Sequence, residues 1–423
     1  MVNDERRITN DFQTIALLGR QPALGTAELE SLFGAEKVKP YGSHGCFLSV
    51  DVEDVAFNQL GGSMRLARVL TKLPDTNWRT VESYLLEIAP ERAEAIDGKL
   101  SFGISVFGLS VSPRQVAKTA LAVKKAVKAA GHSVRMVPHD KTELSSATVL
   151  YNKLTSTNGW ELLVVSDGKS CYLAQTYRIQ DIDAYAARDQ ARPYRDAKVG
   201  MLPPKLAQII INLAVGHEKY EVRRTKNEEN LLPRTSYLVL DPFCGTGVVL
   251  QEAMLMNYDI YGTDLEPRMV QYTIDNLSWL DTKYPEHGDY RRVEIGDAAS
   301  HVWQLSKIDD RKSKIVVAGE TYLGQPLTSL PNGEHLSKII YDVNLLHHKF
   351  LENIGKQLPS GTRLCLAIPT WRGKHEFLHL PMLDYIEDLG YTRSKFEHVS
   401  NQDLIYHREG QVVGRELLVL IKN

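Results

Sequence analysis

No stretch of the 423-residue sequence stays apolar for the roughly 20 residues that a membrane helix needs. The most apolar run, residues 206–215, is interrupted by Gln208 and Asn212. The N-terminus, MVNDERRITNDFQ, is charged and lacks an apolar centre, so no signal peptide is expected. Only four cysteines occur, Cys46, Cys171, Cys244 and Cys365, and none forms a C-x-x-C pair. That excludes a disulfide framework and a zinc knuckle, and it fits a reducing, cytoplasmic location. Charge of one sign is also missing: the net charge is −2, so a polyanionic partner would have to be held by a local patch. With 29 glycines and 18 prolines the chain is neither collagen-like nor low in complexity. Its length suggests two or three domains at about 150 residues each.

What is present begins with a small α+β region. Residues 14–18 have strand character, residues 24–33 carry apolar residues at helical spacing, residues 46–50 are a strand candidate and residues 52–59 a helix candidate. A second region, from about 95 to 178, has a strand at 102–107 and a helix at 113–130, with further strands expected at 148–151, 161–166 and 171–177. Between residues 101 and 142 there are seven Lys or Arg against one acid, Asp140. Lys118, Lys124, Lys125, Lys128, Arg135 and Lys141 are candidates for contacting nucleic-acid phosphates, since clustered cations gain affinity by releasing counterions. A solvated helix face would carry the same charges. Residues 179–200 are polar and read as a linker, whose Arg188, Arg192 and Arg195 are either phosphate contacts or partners of Asp189 and Asp196. Residues 221–235 have the composition of an exposed loop.

From residue 237 strand and helix alternate. Strands are expected at 237–240, 259–263, 292–295, 314–318 and 363–368, with helices near 248–256, 268–280 and 335–358. The end breaks this alternation: residues 403–408, Glu409-Gly410 and residues 415–421 form a β-hairpin pattern. A mostly parallel sheet that finishes antiparallel is the pattern of class I methyltransferases.

The strongest motif is Asp241-Pro-Phe-Cys-Gly-Thr-Gly247, between an apolar strand and a helix. Gly245 and Gly247 let the backbone turn sharply and approach a ligand. The second strand ends in Asp264, placed to bind ribose hydroxyls, and the third in Gly296-Asp297-Ala298, where a carboxylate can meet an adenine amine. The third small residue of a dinucleotide fingerprint is absent, because Leu250 occupies its position. This points to S-adenosyl-L-methionine, which has no pyrophosphate. Phe243, Cys244, Leu265 and Ala298 complete the expected cofactor set with Asp241, Gly245, Gly247, Asp264 and Asp297.

DPFCGTG followed by GTDLEPRMV resembles the THUMP-domain RNA methyltransferases, specifically the archaeal and eukaryotic enzymes that make N2-methylguanosine at position ten of tRNA. LLGRQPALGTAELESLF, FGISVFG, SSATVLYNKL and DAKVGMLPPKLAQIIINLA extend the resemblance over nearly the whole chain. It implies a ferredoxin-like domain at 1–90, a THUMP RNA-binding domain at 91–178, a linker at 179–200 and a Rossmann-like methyltransferase domain at 201–423. It also implies tRNA as partner; the hydropathy and the cysteine pattern above lead us to expect no membrane and no metal. The family's (D/N)-P-P-Y motif is missing. Gly319-Glu-Thr-Tyr-Leu-Gly324 stands there instead, with Glu320 as the acid and Tyr322 one residue before the usual aromatic position. Glu320 and Tyr322 are therefore the catalytic candidates. The alternative is a catalytically silent or retargeted RNA-binding homologue.

His375-Glu-Phe-Leu-His379 spells the zinc-protease H-E-x-x-H. That motif needs a sustained helix and a third ligand, whereas Pro381 follows at once, so it is taken as coincidence. His347 and His348 are expected to be packing or surface residues of their helix.

Overall fold

The computed structural model describes residues 12–138, 140–196, 201–216, 237–285, 291–305, 313–374 and 376–423. The chain divides into two compact units. One comprises Met1–Thr26, Ala35–Asn58 and Gly62–Ala184; the other comprises Ala27–Gly34, Gln59–Gly61 and Tyr185–Asn423.

The first unit is built on β1 (Thr14–Leu18), β2 (Val38–Tyr41), β3 (Gly45–Leu48), β4 (Ser63–Leu73), β5 (Leu100–Phe107), β6 (Val134–Met136), β7 (Gly159–Ser166) and β8 (Cys171–Ile179). They form one sheet in the order β2-β3-β1-β4-β8-β7-β5-β6. Of these pairings, those of β5 with β6 and β7 are parallel and the rest antiparallel. Helix α1 (Pro22–Phe33) is divided between the units, and α2 (Trp78–Glu94) and α3 (Pro113–Ala129) belong to the first. A boundary at residue 90 falls inside α2, whose buried Val81, Leu85, Ala89 and Ala93 continue at helical spacing past Pro90. The strands on either side of that position share the sheet through β4 and β8.

Helix α3 starts where Ser112 and Gln115 form a reciprocal capping box with Pro113 in the first turn. Val116, Ala120, Val123 and Val127 bury its apolar stripe. Two local expectations are corrected here. Residues 148–151 lie in α4 (Ser146–Tyr151), not a strand, because Ser145 accepts the Thr148 N–H at 3.1 Å and starts a helix despite the β-branched residues. Residues 52–59 are turns ending in a short 3₁₀ segment, Phe57–Gln59, with Val52 and Val55 buried from the loop.

The expected linker at 179–200 is also more ordered than its polarity suggested. It contains α5 (Ile182–Gln190), which presents Arg188 to the buried Glu252. Residues 197–200 and the loop at 221–235 lie outside the described residues.

The second unit contains α6 (Pro204–Val215), β9 (Tyr237–Asp241), α7 (Val248–Leu255), β10 (Asp259–Asp264), α8 (Pro267–Lys283), β11 (Arg291–Ile295), β12 (Lys314–Glu320), α9 (Gly333–Gly355), β13 (Arg363–Arg372), β14 (Phe377–Leu378), β15 (Tyr391–Arg393), β16 (Ile405–Tyr406) and β17 (Val413–Lys422). The main strand order is β11-β10-β9-β12-β13-β17-β15. The pairings from β11 to β13 are parallel, and β17 returns antiparallel between β13 and β15. With only these seven strands numbered in chain order, the sheet runs 3-2-1-4-5-7-6, the Rossmann-like sheet of class I methyltransferases. β16 pairs with β17, so the terminal hairpin is present with a short first arm. β13 is almost wholly buried because it is covered on both faces and paired on both edges. Its neighbours place Leu364, Leu366 and Ile368 in one core with Phe350, Ile354 and Tyr391.

Candidate cofactor and methyl-acceptor site

The loops after β9, β10 and β11 meet at the C-terminal edge of the parallel strands, where open α/β sheets bind ligands. The glycine loop bends through two left-handed residues, Gly245 at φ 52° and Gly247 at φ 83°. It is tied to the next strand: the Gly245 N–H donates to Asp264 Oδ2 at 2.9 Å, and the Cys244 N–H donates to the Thr263 carbonyl at 2.9 Å. Asp264 Oδ1 accepts the Glu266 N–H at 2.9 Å, so this side chain anchors both loops. From α8, Thr273 donates to the Gly245 carbonyl at 2.8 Å. The fully buried Asn276 donates to the Thr246 carbonyl at 2.9 Å and the Tyr194 carbonyl at 3.0 Å, and accepts the Tyr194 N–H at 2.9 Å.

Asp241 closes β9 in a fully buried position and accepts the Phe243 N–H. Gly319 of β12 has to be glycine here, because a Cβ would lie 2.4 Å from Asp241 Oδ1. Burial pushes the Asp241 carboxyl well above the ordinary range, and the negative charges of Asp264 and Glu320 push the same way. Burial also raises Asp264, against the pull of its two backbone donors. Leu265 is 62% exposed, an apolar side chain left open beside Asp264. Asp297 is exposed at the end of β11 with Oδ1 on the Ala299 N–H, and Ala298 is buried beside it.

These residues fit S-adenosyl-L-methionine. Crowded carboxylates favour a cationic ligand, the glycine loop admits close backbone approach, and Leu265 offers a surface for a flat base. Two expected members take a narrower part. Phe243 packs edge-on against Phe350 at 4.9 Å, and Cys244 is buried beside Gly262 and Thr273. Their backbone, rather than their side chains, borders the loop.

Glu320 ends β12 beside β9 and is not isolated. Its Oε1 accepts from Arg415 Nε of β17, an ion pair absent from the sequence reading. Burial raises the Glu320 carboxyl, with Arg415 acting against that rise. Thr321 follows, buried, with its Oγ1 2.7 Å from His347 Nε2. His347 Nδ1 donates to the Val343 carbonyl at 2.7 Å, so the neutral ring accepts from Thr321. Tyr322 is 40% exposed, and its hydroxyl accepts from Gln325 at 3.3 Å.

The remaining candidates separate. Lys118, Lys125, Lys128, Arg135 and Lys141 are exposed in the first unit, Lys124 is half-buried, and Arg135 donates to Asn152 at 2.9 Å. Arg114, Lys118, Lys125 and Lys128 follow helical spacing on the face of α3 opposite its buried stripe. Arg188 and Arg192 are not free for phosphate. Arg188 makes a two-pronged contact with Glu252 at 2.9 and 3.2 Å, and the Arg192 side chain is buried. The H-E-x-x-H segment carries β14 instead of a helix, and His379 Nδ1 contacts Glu416; His375 lies outside the described residues.

Sequence reasoning missed Arg415, Thr273 and Asn276; His347 was expected to pack or face the surface, and it packs, buried, with a hydrogen bond to Thr321 that was not foreseen. Each had a signal. Arg415-Glu416 interrupts an apolar final strand, and Thr273, Asn276 and His347 are polar residues on otherwise apolar helix faces.

No protein-family model matches the chain. Two archaeal proteins named tRNA (guanine(10)-N2)-dimethyltransferase are similar to it. The one from Methanothermobacter thermautotrophicus is 27% identical over 183 residues, 43% of this chain and 43% of that protein. The one from Pyrococcus abyssi is 27% identical over 190 residues, 45% of this chain and 43% of that protein. The chain thus spans less than half the length of the curated relatives it matches. Among solved structures, TrmN from Thermus thermophilus superposes with a TM-score of 0.48 at 17% identity, covering 97% of this chain and 100% of that one.

Proposed function

We propose that this chain is an S-adenosylmethionine-dependent methyltransferase acting on the exocyclic N2 amine of a guanosine in tRNA, at position ten as in the names of its archaeal relatives. The observation that carries the reading is the row of carboxylates Asp264, Asp241 and Glu320 on three adjacent parallel strands, beside a glycine loop anchored by Asp264. With this go a ferredoxin-like and a THUMP domain within residues 1–178, joined across residue 90 by α2 and a common sheet, the basic face of α3 as a tRNA contact, and a cytoplasmic location.

When bound, S-adenosylmethionine supplies a sulfonium methyl; transfer forms an N2–C bond, breaks the S–C bond and leaves the thioether product. The chain's own residues prepare the amine. Its lone pair is delocalised into the guanine ring, so acceptors must hold the N–H groups while nitrogen becomes the nucleophile. Glu320 Oε2 takes no hydrogen bond from the described residues and serves as one acceptor, with a backbone carbonyl as the other. Its charge stabilises the positive nitrogen, and the departing amine proton passes to it or to solvent. The Tyr322 ring stacks on the base, worth about 1–3 kcal/mol.

The test is transfer of labelled methyl to unmodified tRNA, followed by nucleoside mass spectrometry. Labelled N2-methylguanosine is expected, with single-turnover transfer falling roughly 10–1000-fold in Glu320→Gln. Label in another nucleoside, or none in any tRNA despite cofactor binding, would overturn the reading.

A further inference from the structure

We propose that Arg415 is a specificity-determining residue: paired with Glu320, its guanidinium completes a surface complementary to the edge of guanine that carries N2, N1 and O6. The inference rests on the assignment of Glu320 as the amine acceptor.

The sheet brings these groups together. Glu320 of β12 stands opposite Ala367 of β13, and Arg415 of β17 stands opposite Pro369. Ala367 and Pro369 are two residues apart on one strand, so all four side chains project from the same face. Two short side chains lie between the charged ones, and the arginine reaches across β13 to the carboxylate. Tyr406 of β16 pairs with Arg415 in register, and its ring lies 6.0 Å from the guanidinium, on the side away from Glu320's strand. Arg408 Nε donates to the Tyr406 hydroxyl at 3.0 Å, which fixes that ring. The next residue, Glu416, instead contacts Arg393 and His379 and takes no part in this pair.

The polar atoms left over decide the ligand. Arg415 uses Nε for Glu320, and its two terminal amino groups donate no hydrogen bond to the described residues. Neither these groups nor Glu320 Oε2 is among the fully buried unpartnered atoms, so both remain open to a ligand, although the side chains are only 8% and 14% exposed. An acceptor next to a donor is the complement of guanine, which offers N–H donors at N2 and N1 and an acceptor at O6. Adenine in the same orientation has no amine at position 2 and sets its position-6 amine against the Arg415 donors; turned over, with that amine on Glu320, it sets an N1 without hydrogen where guanine's N1–H meets the carboxylate. Among the described residues, the charged groups coupled to Glu320 are Asp241 from β9 and Arg415 from β17. The β13 residues opposite the pair, Ala367 and Pro369, are uncharged, and from α9 the neutral His347 binds the adjoining Thr321.

The experiment replaces the target guanosine of a ligated tRNA by 2,6-diaminopurine riboside, which keeps the N2 amine and exchanges O6 for an amine. The target position is taken from the mass spectrometry above. Wild type should transfer methyl to the guanosine tRNA at least about tenfold faster than to the analogue, the size of one mismatched bidentate contact. Arg415→Gln, whose amide can donate or accept, should bring that ratio near one while calorimetry shows unchanged cofactor affinity. If Arg415→Gln does not fold, Arg415→Lys decides, since an ammonium lacks the planar fork that meets Glu320 and O6 in fixed geometry and the ratio should again narrow. An undiminished ratio in the folded variant overturns the inference and leaves the proposed activity standing. Absence of transfer from wild type to any tRNA removes both.

Discussion

Asp264→Asn changes one atom of the side chain and none of its shape. In the native protein the two carboxylate oxygens accept the Gly245 and Glu266 N–H groups, both at 2.9 Å. Asparagine has one acceptor oxygen, so its amino group must face one of those N–H donors. If the oxygen keeps Glu266, the glycine loop loses its tie to β10; if it keeps Gly245, the turn into α8 opens. A hydrogen bond to a charged acceptor contributes about 1.5–3 kcal/mol, and the variant also loses the charge proposed to receive a ribose hydroxyl. The expected result is S-adenosylmethionine affinity weaker by about 2–4 kcal/mol, roughly 30- to 1000-fold in Kd. Titration calorimetry measures it, with the thermal midpoint recorded on the same samples to separate loop disorder from unfolding. An unchanged Kd in folded Asp264→Asn would refute the argument that this carboxylate organises the cofactor loops.

Gly247→Ala forces a side chain onto a left-handed residue and sets a Cβ 2.9 Å from Thr273 Cγ2, so a loss of about 1–3 kcal/mol in thermal stability is expected. Adding Thr273→Ser, which removes that methyl, should restore part of it; no rescue would mean the backbone strain acts alone. The buried His347 is held down to about 4 by burial, below its unfolded value of about 6.5. Its contribution is therefore complete above about pH 6.5 and is lost as pH falls towards 4, by about 3 kcal/mol, and His347→Gln should flatten the midpoint-against-pH curve over that window. Parallel curves for wild type and variant would remove His347 from the acid sensitivity. Reversing Lys124, Lys125 and Lys128 to Glu should weaken tRNA binding and lower its salt slope by up to about 3, with cofactor affinity intact; an unchanged slope makes α3 a solvated face.

The alternation of strand and helix after residue 237, the DPFCGTG turn and the acidic ends of β10 and β11 were legible because each is set by local chemistry: apolar runs, glycines and short spacings. The ion pair of Glu320 with Arg415 was not, because their contact depends on β17 being inserted next to β13. The misread segments have a related cause. Residues 148–151 look like a strand by composition, and a single serine cap turned them into a helix. Arg188 was read as either a phosphate contact or a partner of Asp189 or Asp196, whereas its partner Glu252 is supplied by α7. Periodicity reports which face of an element is buried, and long-range pairing decides which polar groups accompany it.

The side chain of Asn276 satisfies Tyr194 on both its backbone groups and Thr246 on its carbonyl, while the Tyr194 and Tyr272 rings stack at 4.3 Å. The glycine loop is thus laced to chain that precedes the first strand of its own sheet. A fragment cut at residue 237 would retain every residue of the DPFCGTG turn and still lack the stitch that gives the turn its shape. The working boundary of the cofactor-binding half therefore lies upstream of Tyr194.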